Sequence, residues 1–194
     1  CSFADIIMRD VVYEEVGPFK RKKLHGLVGE ALEKVYADKV DEHLGELALH
    51  FLESGDKEKA LSYFLKAGEK AAKIYANAEA ISYFQSALKL LEEKEGEYSE
   101  KARVLETVGN IKGLVGEYAL CIKHWNEALL QWKQLDEKEK VARLHRKIAM
   151  TFWRIVGNTE EAHENFEKAL GILESEPEGV ELAALYAARA TMSY

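Results

Sequence analysis

Proline and cysteine are scarce in this 194-residue sequence, which contains two of each. Pro18 and Pro177 leave long stretches without a helix breaker, and these stretches are rich in Ala, Leu, Glu and Lys, which lose little conformational freedom in a helix. Cys1 and Cys121 form no Cys-x-x-Cys pair, so we exclude a disulfide framework. We expect an all-α protein in a reducing, cytoplasmic environment.

Other absences exclude classes of function. No stretch approaches the roughly 20 apolar residues that span a bilayer, so we expect no membrane partner. The sequence contains neither a His-Glu-x-x-His motif nor a glycine-rich phosphate loop with its lysine. Its formal net charge of −7 argues against nucleic acid as a partner. We therefore expect no catalytic residue, no metal site and no cofactor in this chain.

Internal repetition is the strongest pattern that is present. One set of small and aromatic residues occurs three times at a spacing of 41 residues, as Ala80, Phe84, Ala87 and Leu88, then Cys121, Trp125, Ala128 and Leu129, then Ala162, Phe166, Ala169 and Leu170. A shorter duplication relates residues 60–67 to residues 80–87, 20 positions apart. On a helix, an aromatic residue four positions after a small one lies on the same face and fills the space beside it. The repeats therefore predict packed helical hairpins.

These residues resemble the tetratricopeptide repeat family, in which a Leu-Gly or Leu-Ala pair on a first helix precedes the small and aromatic residues of a second. The corresponding positions hold an apolar residue followed by a small one, at gaps of 12, 12, 12 and 13 residues before the repeated segments: Leu47-Ala48, Ala67-Gly68, Val108-Gly109 and Ile148-Ala149. The resemblance implies an α-solenoid of antiparallel helical hairpins wound into a right-handed superhelix. Within it we interpret Cys121 as a small core residue, although Cys121 and His124 have the spacing of metal ligands on one helix face.

Turn signals divide the chain into ten predicted helices, near residues 2–16, 19–37, 40–54, 57–75, 77–93, 97–115, 118–135, 138–156, 159–175 and 179–194. The helix at 57–75 serves as the second helix of one hairpin and the first of the next. We assign residues 1–38 to a helical adaptor and residues 39–194 to the repeat array. Because the apolar pattern still continues at the end, we expect a further repeat beyond it.

Residues 1–38 lack the repeat pattern but contain two amphipathic segments. The second segment has an apolar stripe formed by Leu24, Leu27, Val28, Ala31, Leu32 and Val35. The run from Ser2-Phe3 through Ile6-Ile7 and Val12-Tyr13 to Leu24-His25 resembles the end of the winged-helix region in STAND-class signalling ATPases, including ATP-dependent transcription regulators and cyclase-associated ATPases. This resemblance implies that a longer protein carries a nucleotidase ahead of these repeats.

One stretch reverses the acidic charge of the chain. From Lys140 to Asn158 there are five Lys or Arg residues and no Asp or Glu. In the tetratricopeptide family the first helix of each hairpin lines a concave groove, and this alignment places six residues on the groove face: Arg143, Arg146, Lys147, Met150, Trp153 and Arg154. Asn110 takes the corresponding face one repeat earlier, where relatives use Asn to hold a peptide backbone.

Guanidinium groups bind carboxylates or phosphates through paired hydrogen bonds, so the groove is predicted to hold an acidic protein, a peptide or a small anionic ligand. The alternative is that these cations pair with acidic helices nearby, notably at 159–168. The resemblance favours a protein-interaction and signal-coupling arm of a regulatory ATPase. A small-molecule inducer sensor and a passive structural adaptor remain as alternatives.

Overall fold

The computed structural model describes residues 13, 15–174, 176 and 179–192. Its α-helices are α1 (Pro18–Val35), α2 (Leu44–Ser54), α3 (Lys57–Lys73), α4 (Asn77–Glu92), α5 (Tyr98–Leu114), α6 (Tyr118–Gln134), α7 (Lys138–Thr151), α8 (Thr159–Leu173) and α9 (Val180–Met192). These helices confirm the all-α prediction and most of the predicted helix positions. The predicted helix at 2–16 lies outside the described residues apart from Tyr13 and Glu15.

Turn residues end and start the helices where the sequence predicts. Gly55, Gly116 and Gly157 have φ angles of 86°, 83° and 74°, a conformation that costs glycine little. The side chain of Asp56 accepts a hydrogen bond of 3.0 Å from the Lys59 amide, and Asn158 caps α8 in the same way. These local signals explain why the helix ends were predictable.

Two predicted helices differ in the structure. The predicted helix at 40–54 begins as a 3-10 helix over Ala37–Glu42, and α2 starts only at Leu44. The predicted helix at 138–156 is α-helical only to Thr151 and continues as a π-helical turn over Phe152–Val156. Since a π-helical turn has more residues than an α-helical turn, side chains after Thr151 no longer follow the face of α7.

The described residues form two compact units, one ending at Leu90 and the other beginning at Leu91. In unit 1, α3 packs on both sides, as the 20-residue duplication predicts. The ring of Tyr63 stacks on Phe51 of α2 with centroids 5.7 Å apart. On its other side, the Phe84 ring of α4 lies where a Cβ on Gly68 would approach it to 2.8 Å.

The packing of α1 contradicts the predicted apolar stripe. Leu27 and Val35, which belong to that stripe, are 53% and 74% exposed. Instead, α1 packs through His25, Gly29 and Glu33, which follow each other at four-residue intervals. Gly29 allows the Phe51 ring to approach closely, since a Cβ there would lie 3.0 Å from the ring.

The buried face of α1 is completed by ionic contacts. Glu33 accepts hydrogen bonds from Lys59 and Tyr63 of α3, at 2.7 and 2.6 Å. The close contact at Gly29 and the hydrogen bonds of Glu33 therefore hold α1 against α2 and α3. The side chains of the predicted stripe are exposed except for Leu32, which is partly buried. The adaptor role assigned to residues 1–38 stays a prediction.

Unit 2 contains two helical hairpins and a following helix. In each hairpin a first helix, α5 or α7, packs against a second helix, α6 or α8, and α9 then packs as the next first helix. The repeated aromatic residues Trp125 and Phe166 are buried at 7% and 2% exposure, as the pattern predicts. None of the described helices combines the length and the apolar character needed to cross a membrane.

Candidate partner-binding face

The first helices of unit 2 carry a connected set of charged and polar side chains. We call this set the first-helix face and define it by six residues: Glu106 and Asn110 of α5, Arg143, Arg146 and Lys147 of α7, and Glu181 of α9. Hydrogen bonds link α5 to α7 and α7 to α9. Polar and charged side chains therefore connect the three first helices.

Glu106 lies at the junction of α5 and α7. Its carboxylate accepts one hydrogen bond from Nη2 of Arg143 and one from Nζ of Lys147, each at 2.9 Å. Burial alone would raise the pKa of Glu106, but the hydrogen bonds and charges of Lys147 and Arg143 outweigh it and hold the pKa below its ordinary value. Glu106 is therefore a carboxylate at neutral pH.

Asn110 continues this network one turn further along α5. Its Oδ1 accepts hydrogen bonds from Nζ of Lys147 at 3.0 Å and from Nε1 of Trp125 at 3.2 Å. The Lys147 ammonium also lies 5.4 Å from the centroid of the Trp125 ring. The amide oxygen of Asn110 therefore accepts hydrogen bonds from both α6 and α7.

Arg146 and Glu181 join α7 to α9. Nε of Arg146 bonds one carboxylate oxygen of Glu181, and Nη2 bonds the other at 3.3 Å. Glu181 is only 8% exposed, so this two-point ion pair is largely removed from water. Such planar pairing fixes the orientation of both helices.

The structure brings four of the predicted residues together and leaves three outside the network. Asn110, Arg143, Arg146 and Lys147 belong to the first-helix face. Met150 packs against the hydrophobic core between α7, α8 and α9 instead of facing a groove. Trp153 and Arg154 lie in the π-helical turn, where Trp153 is partly buried and Arg154 is exposed.

The alternative interpretation of the cations is also corrected. Arg143, Arg146 and Lys147 do pair with acidic residues of the chain, but these are Glu106 and Glu181 rather than residues of 159–168. Sequence reasoning missed both carboxylates. A signal for one of them was present, because Glu106 and Lys147 are 41 residues apart and so occupy equivalent repeat positions.

Arg143 of the first-helix face has a buried hydrogen-bond donor without an acceptor in the described residues. Within the described part of the chain, its Nε is a buried side-chain nitrogen without a hydrogen-bond acceptor. Its Nη2 makes one contact with Glu106, although a guanidinium has five N–H donors. Arg143 therefore has N–H donors that the described part of the chain does not use.

Cys121 and His145 have reactive side chains, but both are buried in the core of unit 2. Cys121 is 1% exposed, and burial raises the pKa of its thiol to about 11. His145 is buried and bonds Oδ1 of Asn165 at 2.9 Å, and burial lowers its pKa. In the described residues, no group of three or more His, Cys, Asp or Glu side chains is placed to hold a metal ion.

Comparisons with known proteins agree with this architecture. Residues 100–175 match the family model of the tetratricopeptide repeat. The crystal structure of BtubC (BKLC) from P. vanneervenii is similar, with a TM-score of 0.50 and 18% identity over 92% of this chain and 86% of that chain. No curated protein matches the chain. The fold is an α-solenoid of helical hairpins with a tetratricopeptide-like repeat array, and neither match points to STAND-class ATPases.

Proposed function

We propose that this chain is a protein-interaction module that binds a partner protein or peptide at the first-helix face of unit 2. Tetratricopeptide repeats generally mediate protein–protein interaction, and residues 100–175 match that family. The observation that carries the proposal is the network joining Glu106 to Arg143 and Lys147, and Arg146 to Glu181. It holds three successive first helices in register and so prepares a surface before a partner arrives.

The charge of α7 favours an acidic partner. Five of its fourteen residues are Lys or Arg and one is Glu, in a chain whose net charge is −7. The first-helix face contains three cationic side chains and two carboxylates, so its net charge is positive. A partner that supplies carboxylates at the spacing of Arg143 and Lys147 would complement the charge of both cations.

The wider role that we propose is a signal-coupling arm of a larger regulatory ATPase. It is supported by the resemblance of residues 1–38 to the region that follows a winged helix in STAND-class ATPases. A small-molecule sensor would use the same cations for an anionic inducer, and a passive adaptor would bind its partner without any coupling. The sequence of the complete parent protein separates these alternatives, since coupling requires a nucleotidase in the same polypeptide.

Fluorescence anisotropy tests the binding face. The probe is a labelled decapeptide in which glutamate alternates with alanine, and its reference is the same peptide with glutamine. We expect Arg143→Gln to weaken binding of the glutamate peptide roughly tenfold, the order that one charge-assisted pair contributes. Arg143 is preferred to Arg146 for this test because Arg146 also holds α9 through Glu181.

The matched control is Lys123→Gln, which removes the same charge from the second helix α6, where Lys123 is 65% exposed. We expect this variant to bind like the original protein. Equal weakening by both variants would show general charge attraction, and no difference between the glutamate and glutamine peptides would remove the acidic partner from the proposal.

A further inference from the structure

We infer that Glu106 occupies the position of a partner carboxylate on Arg143 and Lys147, so that an acidic partner binds by displacing it. This inference rests on the proposed function and adds a mechanism to it. The chain carries its own competitor for the two cations that sequence reasoning assigned to the partner. Partner affinity is then set by the exchange of one carboxylate for another.

The two ion pairs of the first-helix face differ in how completely they satisfy their arginines. Glu181 meets Arg146 at both Nε and Nη2, whereas Glu106 meets Arg143 at Nη2 alone. The Arg146 side chain is 23% exposed, and those of Arg143 and Lys147 are 38% and 27% exposed. The Arg146–Glu181 pair is therefore the fixed contact, and the pairs to Glu106 are the ones that an incoming group reaches.

Arg143 forms a stronger ion pair with a partner carboxylate than with Glu106. A carboxylate that bonds a guanidinium through two parallel N–H groups is held more strongly than one held through a single contact. The buried Nε of Arg143 has no acceptor in the described structure. If the guanidinium turns toward solvent, Nε and an Nη group face an external carboxylate together, which Glu106 does not achieve from α5.

Lys147 stays in position during the exchange. Its ammonium bonds Oδ1 of Asn110 at 3.0 Å and lies over the Trp125 ring, and neither contact depends on Glu106. When Glu106 leaves, Lys147 keeps these anchors and presents a free N–H donor. The exchange therefore replaces one anion on a cationic site that is already positioned, without moving α7.

Substitution of Glu106 by glutamine tests the inference in the full chain. Gln keeps the size of the side chain but removes the charge that competes for Arg143 and Lys147. With the glutamate–alanine decapeptide as the probe, we expect Glu106→Gln to raise the affinity about tenfold over the original protein. The effect should shrink in 0.5 M salt, which screens charges beyond about 4–5 Å and so weakens the attraction between the peptide and the two cations.

Glu100→Gln is the matched control. Glu100 lies on the same helix and pairs with the exposed Arg103, so its substitution changes the net charge equally without opening the cationic site. We expect its affinity to equal that of the original protein. Circular dichroism of each variant establishes that the helices are retained, and Glu106→Ala provides a second variant if Glu106→Gln does not fold.

The outcomes separate the two proposals. If neither the original protein nor Glu106→Gln binds the decapeptide, the acidic partner of the proposed function is wrong. If the original protein binds and Glu106→Gln binds equally or more weakly, the proposed function stands and the competitor role of Glu106 is overturned. Equal gains in Glu106→Gln and Glu100→Gln also overturn it, since they would reflect net charge alone.

Discussion

Gly109 is the site of a close contact between α5 and α6 in unit 2. A Cβ at this position would lie 2.5 Å from Cδ1 and 2.7 Å from Nε1 of Trp125. The Trp125 ring is buried and bonded to Asn110, so it has little room to move away. We expect Gly109→Ala to lower the free energy of unfolding by about 1–3 kcal/mol through overpacking, measured by urea denaturation.

Gly171 is the control for this substitution. It lies in α8, and a Cβ there would meet no atom within 4 Å. Because alanine favours a helix over glycine, we expect Gly171→Ala to raise the free energy of unfolding by about 0.5–1 kcal/mol. Stabilisation by both substitutions would contradict the close packing of Trp125 on Gly109.

Cys121 illustrates a reactive group made inert by its position. Burial raises the pKa of its thiol to about 11, so almost no thiolate exists near neutral pH. We expect iodoacetamide at pH 8 to modify Cys121 only after unfolding. Peptide mapping by mass spectrometry distinguishes it from Cys1, and modification of Cys121 in the folded protein at the rate of the unfolded chain would show that the thiol is accessible.

Among the helices, α1 and α2 meet through a histidine pair. Nδ1 of His25 and Nδ1 of His50 are 2.9 Å apart, a hydrogen bond that requires one neutral ring. Burial, and then the nearby His25, lowers the pKa of His50 below 6.5, while Glu46 opposes the shift. The unfolded chain then binds more protons than the folded chain, so stability is lost as the pH falls below about 6.5.

Urea denaturation at pH 7.5 and pH 5.5 measures this effect. We expect the original protein to be less stable at pH 5.5 and His50→Gln to lose part of that difference. His145, whose pKa burial also lowers, supplies the remainder. His163→Gln, at a side chain 71% exposed, should leave the difference unchanged. An identical pH dependence in His50→Gln and the original protein would rule out the pair as its source.

The docking of α9 depends on the Arg146–Glu181 pair. Glu181→Gln leaves Arg146 with a weaker, uncharged acceptor in a largely buried place, which we expect to cost about 1–3 kcal/mol. Hydrogen exchange should therefore quicken in residues 180–192 and remain unchanged in α5 and α6. Glu100→Gln breaks an exposed pair and should not alter exchange in α9. Unaltered exchange in α9 of Glu181→Gln would show that apolar packing alone holds it.

The sequence predicted the helices better than their contacts. Gly55, Gly116, Gly157 and the caps Asp56 and Asn158 act locally, so they could be recognised one at a time. The exposure of the apolar stripe on α1 could not be recognised in this way. The packing of α1 depends on the contact of Phe51 with Gly29, two residues 22 positions apart. The π-helical turn after Thr151 likewise has no local breaker within it.

At the scale of the molecule, charge is unevenly distributed. The first helix α7 has five Lys or Arg residues and one Glu, whereas the second helix α8 has four Glu and one Lys. The sequence revealed the cations of α7 and their shared face. It did not reveal Glu106 and Glu181 as their partners, because ion pairs between hairpins depend on how the hairpins pack. The cationic groove expected from the sequence is therefore largely paired with the chain's own carboxylates.

The most direct test of the account maps the bound peptide on the protein. Backbone amide shifts of the isotope-labelled chain are followed by nuclear magnetic resonance while the glutamate–alanine decapeptide is added. We expect the largest changes on α5 and α7, around residues 103–110 and 143–147, and smaller changes with the glutamine peptide. Changes centred on the second helices α6 and α8 would contradict the first-helix face as the binding surface.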